Sequence, residues 1–151
     1  MVLSPSKILS GEGKIEDVYA KLKDLEKLVK VYNFDKSASV SYSGTNSIGV
    51  HASRQGNLVS VTIQYTGTLP KEKTNISSST YSNITIPEGF RPTTATCASY
   101  VGVAGTAAYE ADNGRFSIET NGSIYHISTE ATYHERNVNL TYYTADDFPT
   151  S

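Results

Sequence analysis

Arg115-Phe116-Ser117-Ile118-Glu119-Thr120-Asn121-Gly122-Ser123-Ile124-Tyr125-His126-Ile127-Ser128 is the stretch on which the fold class turns. Asn121-Gly122 sits between two short segments that alternate apolar and polar residues. Asn-Gly tolerates the positive φ values of a two-residue hairpin turn, so the segment reads as an antiparallel hairpin. Pairing across such a turn sets Thr120 opposite Ser123, Ile118 opposite Tyr125 and Phe116 opposite Ile127. That face is then apolar, and the other face carries Arg115, Ser117, Glu119 and His126 as a wet surface.

Outward from this hairpin, further alternating segments repeat at intervals. Leu58–Tyr65 puts Val59, Val61, Ile63 and Tyr65 on one side and Ser60, Thr62 and Gln64 on the other. Asn137–Thr144 does the same with Val138, Leu140 and Tyr142. Shorter strands are expected at Ser39–Ser43, Asn83–Ile86 and Ala95–Ala104, with 71–80 a polar loop. Tyr (11 copies), Ser, Thr and Asn abound, and Trp is absent. These residue types suit strands with one solvated face. The expected head is therefore all-β, a sandwich or barrel of jelly-roll type, over residues 34–151.

The chain changes character upstream. Residues 14–32, KIEDVYAKLKDLEKLVKVY, lack Gly and Pro and are rich in Lys, Glu and Leu. Ile15, Val18, Leu22, Leu25, Val29 and Tyr32 recur at alternating steps of three and four, the a/d seam of a coiled coil. A stalk is expected over 14–33, about 28 Å long, after a loose lead-in over 1–13. β-Branched residues at both Ile15 and Val18 lean towards a trimer. Lys21 and Glu26 fall where an interhelical ion pair can form.

Composition bounds the chemistry. A net charge of −2 provides no basic field for nucleic acid. No run of about 20 apolar residues marks a membrane span, and the start MVLSPSKIL does not read as a secretory signal. Cys97 is the sole cysteine, so no internal disulfide is possible and a small packed thiol is expected. His51, His126 and His134 have no ligand spacing, so neither metal nor cofactor is expected. Catalytic motifs are missing, and the pairs Glu110/Asp112 and Asp146/Asp147 read as solvated loops rather than a glycosidase dyad.

Three features together resemble the receptor-binding heads of long-tailed phages of Gram-positive bacteria, lactococcal phages among them. They are the short helical stalk before an all-β head, the phrase Ile86-Pro87-Glu88-Gly89-Phe90-Arg91-Pro92, and the closing pattern Asn113-Gly114-Arg115-Phe116 with Gly122-Ser123-Ile124-Tyr125 and Leu140-Thr141-Tyr142-Tyr143-Thr144. The resemblance implies a homotrimer in the virion, at the tail tip or baseplate, held by other tail proteins and binding host cell-wall saccharide without catalysis. The absence of Trp departs from heads that stack sugars on indole. On the residues themselves, a saccharide site is expected at Tyr109, Asp112, Asn113, Arg115, Glu119 and His126, which combine an aromatic with bidentate polar groups. A structural knob without a receptor, or a glycan-degrading tail protein, are the competing readings.

Overall fold

A computed structural model describes residues 15–40, 46–104, 112–128 and 133–149. The expected lead-in lies outside them. Helix α1 spans Ile15–Val29. Glu16 and Asp17 in its first turn and Lys27 in its last complement the helix dipole. Its final bond runs from Lys30 N to Glu26 O at 2.9 Å. The helix is thus about 22 Å long, shorter than the heptad spacing predicts. Val31 already pairs with Gln55 in a strand. Tyr32, expected on the helical seam, belongs to that strand and packs its ring 5.7 Å from Phe148. The reason is a change of period: Tyr32 and Phe34 alternate with Val31 and Asn33, and both rings turn towards the core.

Among the described residues eight strands follow: β1 Val31–Val40, β2 Asn46–Gln55, β3 Leu58–Thr68, β4 Glu72–Asn75, β5 Thr96–Ala104, β6 Asp112–Ile118, β7 Ile124–Ser128 and β8 Tyr133–Tyr143. Their order is β1-β2-β3-β8-β5-β6-β7-β4, and every pairing is antiparallel. β5 joins two sheets. Thr96–Gly102 pairs with β6, while Val103 and Ala104 pair with β8. Two meanders, β1-β2-β3 and β5-β6-β7, therefore flank β8.

One core unites the sheets. Ile48 and Val50 of β2, Val59, Val61 and Ile63 of β3, and Val138 and Leu140 of β8 meet Phe116, Ile118 and Ile124 of the other sheet. The alternation seen in β3 and β8 places the residues that the sequence predicts inward. β2, β4 and most of β1 are strands that periodicity missed, and the expected strand Ser39–Ser43 overlaps β1 only at Ser39 and Val40, its remainder lying outside the described residues. Asn83–Ile86 is not a paired strand, although Ile84 and Ile86 are buried and Ile86 N bonds Gly122 O at 2.9 Å.

The decisive hairpin forms with a different register. Phe116 pairs with His126 and Ile118 with Ile124. The loop has three residues, Thr120 to Gly122, closed by Gly122 N to Glu119 O at 2.8 Å and Glu119 N to Ser123 O at 2.9 Å. Gly122 takes φ 84°, as the bulge position of such a loop requires. A side chain there would also run into the Ile86 carbonyl oxygen. The one-residue slip reverses every β7 side chain: Ile124, His126 and Ser128 point in, and Tyr125 and Ile127 point out.

Two arginines lie inside. Arg54 donates through Nε to Gly56 O at 2.8 Å, through Nη1 to Gly89 O and to Asp147 O at 2.9 Å, and through Nη2 to Asp146 O at 3.0 Å. Its guanidinium lies 4.3 Å from the centre of the Phe148 ring. Burial lowers its pKa, opposed by attraction to the Asp146 carboxylate. Asp146 Oδ2 accepts from Gly89 N at 3.0 Å and Arg91 N at 3.2 Å. The Pro87–Pro92 phrase and the C-terminal segment are thus locked together. Gly89, at φ 91°, lets Pro149 pack so closely that a Cβ would sit 2.8 Å from its Cγ.

Tyr142 completes the lock, donating to Phe90 O at 2.7 Å. Burial, then the Asp146 charge, raises its pKa far above its ordinary 10.0. The folded state therefore favours the neutral phenol. Its contribution is intact below about pH 10 and declines as pH rises above that value, because the unfolded phenol ionises first. Tyr142→Phe should flatten this alkaline fall in melting temperature above pH 10. An identical alkaline profile in the variant would remove Tyr142 as the cause.

Candidate functional site

The structure divides the residues that the sequence groups as a saccharide site. Tyr109 lies outside the described residues. Asp112 and Asn113 are backbone members of β6, opposite Gly102 and Val101. Arg115 is exposed on the outer face of β6. Glu119 lies at the hairpin loop and pairs with Lys73 at 3.2 Å. His126 is fully buried, which corrects its expected place on a wet face. It stacks on Tyr100 with ring centroids 5.7 Å apart, and its Nε2 hydrogen-bonds Tyr100 Oη. Tyr100 Oη also accepts from Arg136 Nε at 3.0 Å, and Arg136 Nη1 donates to Gly67 O at 2.8 Å. This chain of polar groups belongs to the core.

What remains outside on the second sheet is a mixed patch. Lys73 Nζ lies 4.4 Å from the Tyr125 ring centre and bridges to Glu119. Tyr125 and Ile127 are half-buried beside Arg115. The Tyr125 ring is already engaged by the ammonium, so a sugar face would have to displace Lys73 to stack there. Cys97, expected to be packed, is exposed on this sheet. Its place on β5 opposite Ser117 sets it on the outer side of the pleat.

The outer face of the first sheet is different. Pairing aligns Asp35, His51, Thr62 and Asn139 in one cross-strand row and Ser37, Gly49, Gln64 and Asn137 in the next. Nearly every group is a hydroxyl, amide or imidazole. Thr62 Oγ1 donates to Asn139 Oδ1 at 2.7 Å, and His51 Nδ1 lies 3.1 Å from Asp35 Oδ1. Gly49 contributes no side chain, and the face dips there into an open groove of about 460 Å³. Its walls are Ser37, Ser39, Ser47, His51, Gln64 and Thr66. This size lies within the span of small-ligand clefts, roughly 300–1,000 Å³. The walls present both donors and acceptors at close spacing, as polyhydroxylated ligands require. Sequence reasoning missed the groove because β2 itself was missed.

Among the described residues, no group of three or more His, Cys, Asp or Glu side chains could hold a metal ion, and no helix is long and apolar enough to cross a membrane. Asp146, half of one carboxylate pair, commits Oδ2 to two backbone N–H groups. No family model matches the sequence, and no curated protein matches it.

Proposed function

We propose that the chain is a non-catalytic binding head on an oligomerising helix, acting as a phage receptor-binding protein that attaches a virion tail tip or baseplate to host cell-wall saccharide. The observation that carries this reading is the state of α1. Ile15, Leu22, Leu25 and Val29 share one helical stripe, and all are exposed, with Ile15 81% accessible. No residue of the helix is buried. A stripe with a/d spacing that its own domain leaves uncovered fits partner helices, and hence a coiled-coil stalk of a homotrimer. The jelly-roll-like reading of the head rests on its antiparallel sheets around one core.

The saccharide part of the proposal rests on the polar outer sheet and its groove at Gly49. Multiple copies on one stalk would multiply a weak sugar contact by avidity. A structural knob remains the second reading, since the same polar face could meet a neighbouring virion protein.

Assembly provides the first test. Light scattering on the purified chain should give about three times the 16.4 kDa chain mass. Leu22→Ser with Leu25→Ser should dissociate the assembly, because each leucine forfeits roughly 1.5–3 kcal/mol of burial per copy. An undiminished mass in that double variant would remove the helical seam as the source of assembly.

A further inference from the structure

Outside the helix, the large apolar residues that stand exposed among the described residues are Val31, Leu58 and Tyr143. They come from three different strands, yet the register brings them into one row. Val31 pairs with Gln55, Gln55 with Leu58, and Leu58 with Tyr143. The row is the end of the first sheet nearest the helix. Gln55 Nε2 reaches back to Val29 O at 3.4 Å, so the row adjoins the last residue of the helical stripe. The two rows above it carry no apolar side chain: Asn33, Ser53, Ser60 and Thr141, then Asp35, His51, Thr62 and Asn139.

We infer that the subunit interface does not stop at Val29 but continues onto the base of the head through Val31, Leu58 and Tyr143, and that its occupant is a second copy of this chain. The inference rests on the oligomeric reading proposed above and specifies how the head takes part. Three observations favour a like copy. In a parallel bundle of identical helices, equal heights meet, and β1 begins two residues after α1 ends, so head bases are carried to the same level. A 15-residue helix is at the margin of what stands in water, so the seam needs more area than the helix alone presents. The row bears no charge, so identical rows do not repel. The polar groove at Gly49 then lies on the same sheet face, six residues further along β1–β3 than the contact, clear of the apolar row.

Sedimentation equilibrium on the full chain tests this with three samples: wild type, Leu58→Glu with Tyr143→Glu, and Leu22→Ser with Leu25→Ser. The expected result is an assembled wild type and a head-row variant whose dissociation constant rises at least tenfold with its far-UV circular dichroism unchanged. Val31→Thr, which keeps a β-branched residue in the strand, should weaken assembly in the same direction and is decisive should the double variant lose its β signal. A head-row variant and a Val31→Thr variant that assemble like wild type, while the Leu22/Leu25 variant dissociates, overturn this inference and leave the helical seam standing. A monomeric wild type overturns both.

Discussion

Arg54→Ala is expected to lower the melting temperature by roughly 10 °C. One guanidinium serves the carbonyls of Gly56, Gly89, Asp146 and Asp147, and it does so where its side chain is almost entirely out of water. Truncation strands those acceptors and removes the ring contact to Phe148. The combined loss is about 3–5 kcal/mol, the range for a broken buried charge network, and a domain of this size shifts by about 2–4 °C per kcal/mol. Arg54→Lys should recover only part of the loss, since an ammonium cannot reproduce the planar fork. A melting temperature in Arg54→Ala equal to wild type would mean that the C-terminal segment is held without this residue.

Arg136→Ala should cost a comparable amount, about 3–5 kcal/mol. Arg136 sits between the sheets with Tyr65 and Tyr100 beside its guanidinium at 5.9 and 5.6 Å. Removing it takes the donor from Gly67 O and from Tyr100 Oη, and frees the Tyr100–His126 pair from the group that orients it. Tyr100→Phe isolates the hydroxyl: it keeps the ring contact to Phe116 and should cost less than the arginine change. Chemical denaturation of the two variants checks both the size and the order. A Tyr100→Phe loss equal to or larger than that of Arg136→Ala would contradict this hierarchy.

The parts of the fold legible from sequence are those in which a single period governs. β3 and β8 alternate cleanly over their inward residues, and the Gly- and Pro-free stretch forms a helix as far as Val29. The departures have specific causes. β2 carries Ile48, Val50 and Ala52 inward but then places Arg54 in the same inward row, and a charged residue masks the alternation. The heptad reading ran on to Tyr32 because Tyr32 satisfies both a helical step and a strand alternation. Asn121-Gly122 permits a two-residue turn or a three-residue loop, and contact of the loop with Ile86, remote in sequence, accompanies the longer one. That slip inverted β7, and with it the site residue His126. The burial of His126 depends on Tyr100, 26 residues away in sequence, which no local pattern reveals. The Gly49 groove needs three strands in register, and so could not be read from any one of them.

Retention of the intact chain on a panel of cell-wall polysaccharides from Gram-positive bacteria tests the proposed function most directly. Gly49→Val is the informative partner variant, because a Cβ at this strand position meets only ordinary contacts, His51 Nε2 at 3.5 Å and Gln64 Oε1 at 3.9 Å. The added β-branched side chain suits a strand and projects into the groove. Wild type is expected to be retained on at least one polymer and to leave its chain length unchanged, and Gly49→Val to lose retention tenfold or more at unaltered oligomeric mass. A wild type retained on none of the polymers, or one that fragments the polymer it binds, rules out a non-catalytic saccharide-binding head.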